Sequence, residues 1–314
     1  MIEIQNISKR YGNKLAVNDV SFTINKGEIL GFLGRNGAGK STTMNIVTGY
    51  ISATSGRVLL DGHDILEEPR EVKKRIGYLP ELPPLYMDMT VDEYLRFVCS
   101  IKDVKPSFVR SHLDDITELI RITDVRKRLI KNLSKGYRQR VGMAQALVGN
   151  PDVVIMDEPT VGLDPKQIIE IRKLIKELGE DHTIVLSSHI LHEVADVCER
   201  VVIINQGKIV AKDTLDNLTK NISDSSRFRL RVAGPERDVY KVIHSLDGIR
   251  SVDGMGSKEA ETFDFLVEAD RNADVRRPLF HELAKLNYPI LMLRPMDIEL
   301  EDIFLQLTSD KGEE

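Results

Sequence analysis

The 314-residue chain carries 44 basic and 49 acidic side chains, a formal net charge of -5, without the basic excess expected of a nucleic-acid binder. At 41% hydrophobic and 30% charged residues its composition is ordinary for a globular protein, and the length accommodates one large domain and a smaller one. No apolar run approaches the roughly 18 residues needed to cross a bilayer, and the start MIEIQNISKR does not read as a signal peptide, so a role at a membrane requires docking onto something that spans it.

In chain order, EIQNIS and VSFTINKG alternate apolar and polar residues as half-buried antiparallel strands do, with a turn at Gly12 between them. EILGFLG is a short apolar run that predicts a buried strand, and TTMNIVTG, a few residues on, predicts a helix. In GYLPELPPLY the prolines at 80, 83 and 84 exclude a helix or a central strand, which leaves a loop. An apolar loop around one carboxylate, Glu81, is a candidate contact face for a partner. Cys99 and Cys198 stand far apart with no His or Cys at metal spacing, which predicts small core side chains and a reducing compartment. PDVVIMDE, TIVLSS and RVVIINQG are further buried-strand candidates, and Ile168, Ile171, Leu174, Ile175 and Leu178 share one face of a helix between the first two. The alternation predicts an α/β layering around a mixed sheet.

Near residue 222 the polar, Ser-rich NISDSS predicts a linker over 222–226 that closes a first domain at 1–221. Beyond it the pattern predicts strand 227–233, helix 236–246, strand 248–254, strand 261–268, helix 272–286 and strand 288–294, then the helical IELEDIFLQLT. That β-α-β-β-α-β order is a ferredoxin-like α+β arrangement over 227–309 with a frayed tail at 310–314.

Two stretches carry chemistry. Gly34-Arg35-Asn36-Gly37-Ala38-Gly39-Lys40-Ser41 fits G-x-x-x-x-G-K-[ST] between a predicted strand and a predicted helix. Its glycines let backbone N–H groups fold around phosphate oxygens at a helix N-terminus. Lys40 then reaches the β- and γ-phosphates, and the Ser41 hydroxyl ligates Mg²⁺. At VVIMDE a hydrophobic strand delivers Asp157 and Glu158 to its carboxyl end. Asp157 suits a Mg²⁺ ligand, and Glu158 suits the base that orients and deprotonates an attacking water.

Leu133-Ser134-Lys135-Gly136-Tyr137-Arg138-Gln139-Arg140, shortly before that strand, resembles the signature LSGGQ of ABC transporter ATP-binding subunits in a common variant. The resemblance spans residues 1 to about 220. It implies a P-loop fold of ABC type, with a helical subdomain at about 88–150 and the ferredoxin-like domain appended. It implies ATP and Mg²⁺ as cofactors, and ATP bound between two copies paired head to tail, with Ser134, Lys135, Gly136 and Tyr137 serving the other copy's nucleotide. Gly34 to Ser41 and Thr42 become nucleotide-binding residues, and Asp164 in VGLD crosses the dimer interface. His189 in LSSHILHE matches the γ-phosphate histidine and Tyr11 the aromatic that stacks on adenine. Two departures stand out: Tyr137 replaces the glutamine ending the signature, and Glu81 replaces the glutamine of the loop that senses Mg²⁺ and the membrane partner. The implied partners are a second copy and membrane-spanning subunits on separate chains, with the protein peripheral on the cytoplasmic face of the cell membrane and no nucleic acid bound. LSKGYRQR, GLDPKQ and YLPE resemble exporters of the ABC-2 type, including gliding-motility-associated subunits. The rival within the family is a soluble ATPase that remodels a ribosome or a nucleic-acid complex. Such members carry two cassettes or long coiled coils, and neither is found here.

Overall fold

The structure is a computed structural model that describes residues 1–222, 225–257, 259, 261–270 and 273–296. The chain divides after Leu215, the first compact unit covering Met1–Leu215 and the second beginning at Asp216. The first half of unit one runs β1 (Ile2–Tyr11), β2 (Lys14–Ile24), β3 (Ile29–Leu33), α1 (Lys40–Val47), β4 (Ser55–Leu60), β5 (His63–Asp64), α2 (Pro69–Lys74) and β6 (Ile76–Leu79). The rest runs α3 (Val91–Ile101), α4 (Val109–Leu119), α5 (Lys135–Leu147), β7 (Val153–Asp157), α6 (Pro165–Gly179), β8 (Thr183–Ser188), α7 (Leu191–Ala195), β9 (Arg200–Asn205) and β10 (Lys208–Thr214). Helix α8 (Leu215–Ile222) leads out of it.

The strands form an antiparallel sheet in the order β2-β1-β4-β5 and a six-stranded sheet in the order β10-β9-β3-β8-β7-β6. β3, β6, β7, β8 and β9 pair in parallel, and β10 is antiparallel at one edge. Every residue of β3, β7 and β8 is buried, which is why these stretches read as continuous apolar runs. A core of Ile2, Ile4, Phe22, Ile24, Leu30, Phe32 and Val202 joins the two sheets, with the Phe22 and Phe32 rings stacked at 5.4 Å. Both cysteines are buried, as expected. Among the described residues no helix is long and apolar enough to cross a membrane.

The second unit contains β11 (Ser225–Ala233), α9 (Glu236–His244), β12 (Ile249–Gly254), β13 (Thr262–Asp270), α10 (Arg276–Lys285) and β14 (Ile290–Met296). Its antiparallel sheet has the order β12-β13-β11-β14, the ferredoxin-like topology. Its core sets Phe228, Leu230, Val232, Phe265 and Val267 against Val239, Ile243, Leu279 and Leu283 of the two helices.

Two expectations are corrected. Gly77, Tyr78 and Leu79 of GYLPELPPLY belong to β6, so the loop begins only at Pro80. The prolines left this possible because β6 is an edge strand with one pairing partner, and they lie beyond its last residue. The stretch expected as a linker is also largely structured: α8 extends to Ile222 and β11 begins at Ser225. Leu215 and Leu218 stand one turn apart on α8, a spacing that the serines on its C-terminal side obscure in the sequence. IELEDIFLQLT lies outside the described residues.

Candidate nucleotide site

The site is built at the carboxyl ends of β3, β7 and β8, where three buried parallel strands end side by side. The phosphate loop leaves β3 and enters α1, with Arg35, Asn36 and Gly37 exposed at its tip. Gly39, the residue before α1, has φ 111°, a left-handed value that favours glycine, and a Cβ there would sit 2.7 Å from the Ala16 carbonyl oxygen. A Cβ on Gly34 would sit 2.6 Å from the Ile204 oxygen, so both positions require glycine for space as well. Thr42 is half-buried on the first turn of α1.

Lys40 is buried. Its ammonium donates to the Gly34 carbonyl at 2.8 Å and lies 3.2 Å from Glu158 Oε1. Glu158 Oε2 is 2.9 Å from His189 Nδ1, so the structure brings together three residues that lie about 30 to 150 positions apart in sequence. Glu158 itself has φ 49° and precedes a proline. A non-glycine residue in the left-handed region before proline is strained, and such strain clusters at functional sites. The Glu158 N–H to Ser187 carbonyl bond at 3.0 Å holds it there.

Asp157 is 2% exposed, and its Oδ1 has no hydrogen-bond partner. Burial pushes its carboxyl above the ordinary range, against the pull of the nearby Ser187 and Ser41 hydroxyls. An orphaned buried carboxylate oxygen beside a hydroxyl fits a hard divalent cation, which takes one or two carboxylates and completes its shell with water and phosphate. No cluster of three or more His, Cys, Asp or Glu able to hold a metal alone is found among the described residues.

A cavity of about 770 Å³ opens beside Ser41 and Asp157 and runs along β6 toward α3. Glu81, Leu82, Pro84 and Tyr86 line it. Leu82 is 81% exposed, and Tyr86 packs on Tyr94 and Phe97 at 5.8 and 5.3 Å between ring centroids. Leu85 is half-buried and does not line the cavity, and Pro83 packs toward Gly142 of α5. Between residues 82 and 87 the apolar wall is therefore formed by Leu82, Pro84 and Tyr86.

The signature residues lie elsewhere in the same unit. Ser134 caps α5 by accepting from Tyr137 N at 3.4 Å, and the Tyr137 hydroxyl donates to Asp124 at 3.1 Å. The Lys135 side chain covers Gly162, and Gly136 faces the Gln167 amide. Asp164 caps α6 by accepting from Gln167 N at 3.0 Å. The structure thus sets the signature against the loop after β7 rather than against the phosphate loop. Tyr11 is exposed at the end of β1 with the Lys9 ammonium 5.4 Å from its ring centre. Sequence reasoning missed the buried pair Thr160 and Glu193, discussed below, since neither falls in a recognisable motif.

Residues 17–161 match the ABC transporter family. The linearmycin resistance ATP-binding protein LnrL of Bacillus subtilis is 32% identical over 309 residues, covering 98% of both chains. The bacitracin transport ATP-binding protein BcrA of Bacillus licheniformis is 35% identical over 73% of this chain and 75% of its own. Among solved structures, the dimeric post-hydrolysis state of the ATP-binding cassette MJ0796, bound to ADP and Pi, aligns with a TM-score of 0.63 at 25% identity, over 68% of this chain and 98% of that one. With the phosphate loop, the strand-end acids and the signature in one unit, the chain belongs to the ATP-binding subunits of ABC transporters and is an ATPase of that family.

Proposed function

We propose that this chain is the motor subunit of an exporter: two copies close head to tail on ATP, and hydrolysis reopens them. The observation that carries the reading is the contact of Glu158 with both His189, at 2.9 Å, and Lys40, at 3.2 Å, on a strained backbone. In it Glu158 is the base for the attacking water, His189 contacts the γ-phosphate, and Lys40 with Gly34, Arg35, Asn36, Gly37, Ala38, Gly39 and Thr42 holds the phosphates. Ser41 and Asp157 hold Mg²⁺, with Glu81 facing the same cavity as a further oxygen donor. The ion supplies charge neutralisation at the phosphates. Tyr11 stacks on adenine. Ser134, Lys135, Gly136 and Tyr137 serve the nucleotide of the second copy, where the N-terminus of α5 favours an anion, and Asp164 crosses the interface. The direction of transport is supported by relatives named for linearmycin resistance and bacitracin transport. The groove lined by Leu82, Pro84 and Tyr86 receives a cytoplasmic segment of membrane-spanning subunits on separate chains, which makes this chain peripheral on the inner face of the cell membrane. Its proline-rich wall is shaped before the partner arrives, which lowers the ordering cost.

The test is Glu158→Gln. Turnover should fall about 10²- to 10⁴-fold, the range for losing a general base, while ATP with Mg²⁺ yields a stable dimer on sizing chromatography. Turnover at the parent rate would sink the assignment. For the groove, Leu82→Asp changes a surface residue at a cost below about 0.5 kcal/mol and should abolish copurification with the membrane-spanning chains; retained copurification would place the docking surface elsewhere.

A further inference from the structure

Glu193 is a buried carboxylate that the chemistry above does not use. It stands on α7 at 4% exposure, and its Oε2 accepts from Thr160 Oγ1 at 2.5 Å and from Ser188 Oγ at 3.2 Å. Thr160 lies two residues after Glu158, and Ser188 lies immediately before His189. The Ser188 hydroxyl also accepts from the Ile190 N–H at 3.0 Å, which turns the chain around His189. One carboxylate oxygen therefore joins the loop after β7 to the end of β8, the two segments that carry Glu158 and His189 into their hydrogen bond.

The approach is built into the packing. Gly31 of β3 lies under α7, where a Cβ would come within 2.1 Å of Val194 Cγ1, so the absence of a side chain there lets α7 carry Glu193 down to the strand ends. Burying a carboxylate is costly unless hydrogen bonds compensate, and a position needed only for packing would be filled more favourably by an apolar side chain. Two hydroxyl donors from two segments converging on one acceptor explain the choice.

We infer that Glu193 is a positioning residue: it holds the Thr160 and Ser188 segments in register so that His189 meets Glu158. The inference rests on the roles proposed above for Glu158 and His189. Misplacing a reacting group by about 1 Å costs on the order of 10²-fold in rate, so a tether of this kind acts on turnover and leaves the phosphate loop's hold on nucleotide alone.

The experiment is a double-mutant cycle in the full chain with Mg²⁺ and ATP. Glu193→Ala should lower kcat about tenfold or more with KM for ATP within about twofold, and Glu193→Gln, which keeps an acceptor oxygen, should recover most of the loss. In a His189→Ala background, Glu193→Ala should change kcat less than about twofold, because the group it positions is gone. An equal loss in both backgrounds with His189→Ala itself impaired would overturn the tether and leave the assignment of His189 standing. Parent kcat in His189→Ala would overturn both together. If Glu193→Ala does not fold, Thr160→Val, which removes one arm, takes its place in the cycle with the same criteria.

Discussion

Asp157 in the first unit and Asp264 in the second are both strand carboxylates at 2% exposure or less, yet their surroundings are opposite. Asp264 on β13 receives Arg231 Nε at 2.6 Å and Arg229 Nη2 at 2.6 Å, and the hydrogen bond from Arg231 leads in holding its carboxyl down at about 2. Asp157 on β7 has one oxygen without a partner, and burial holds its carboxyl up. Next to it, Glu158 adds backbone strain. Burial alone therefore does not mark a functional acid. A satisfied carboxylate holds its own fold together, while an unsatisfied one is poised for a ligand the chain does not itself supply.

The sharpest way to break this comparison is to neutralise each acid. Asp157→Asn should lower Mg²⁺-dependent turnover about 10²- to 10³-fold, the scale for losing one preorganised electrostatic group, with the thermal midpoint unchanged or raised, since a destabilising buried charge is gone. Asp264→Asn should do the reverse: turnover persists while amide hydrogen exchange in β11 and β13 accelerates and the unit melts earlier, because Arg229 loses its charged partner and Arg231, among the described residues, keeps Glu259 alone as one. If Asp157→Asn melted much earlier with turnover retained, the distinction would be lost.

Acid sharpens it further, with opposite signs at the two sites. Asp264 has a depressed folded pKa of about 2 against an unfolded value of about 3.9. Its contribution is complete above about pH 4, declines as the pH falls toward about 2, and is gone below that. Asp157 is raised, so its charged form opposes folding at neutral pH, and that penalty is relieved as the pH falls through its folded value. The loss of thermal stability between pH 4 and pH 2, followed by circular dichroism, should be smaller in Asp264→Asn than in the parent chain. An identical loss would mean the arginine clamp contributes nothing.

How much of this was legible in the sequence follows the same division. The phosphate loop, the acids ending VVIMDE and the β-α-β-β-α-β order were readable because each is local: a spacing, an apolar run, an alternation. Strand β6 was hidden because Pro80 stands directly after Leu79 and the punctuation outweighed four residues of pattern. Helix α8 was hidden by the serines that follow it. The clamp on Asp264 and the Thr160–Glu193 contact join residues more than thirty positions apart, and only tertiary structure pairs them. A signal for the clamp did exist: RFRLR at 227–231 places three arginines on one face of a strand. It names no partner.

The smallest expected effect separates location from satisfaction. Tyr78 lies in the nucleotide-side cavity with Ser41, Glu81 and Asp157, and its hydroxyl donates to Asn45 Oδ1 of α1 at 3.1 Å. Burial first, and then the Asp157 charge, raises its phenol well above the ordinary value, so it stays neutral and keeps its hydrogen bond at physiological pH. If proximity to the site were what made a polar group functional, Tyr78→Phe would damage turnover as Asp157→Asn does. On the reading developed here Tyr78 is a satisfied group like Asp264: removing its hydroxyl deletes one hydrogen bond, worth about 0.5–1.5 kcal/mol, and leaves every phosphate and metal ligand in place. Turnover should stay within about threefold, because that hydrogen bond holds ground state and transition state alike and its loss falls on stability rather than on the barrier. The thermal midpoint should fall slightly. Parallel melting curves and ATPase rates on Tyr78→Phe and Asp157→Asn make the check, and a tenfold or larger loss of turnover in Tyr78→Phe at unchanged stability would show that position, rather than an unmet hydrogen bond, marks the functional groups of this site.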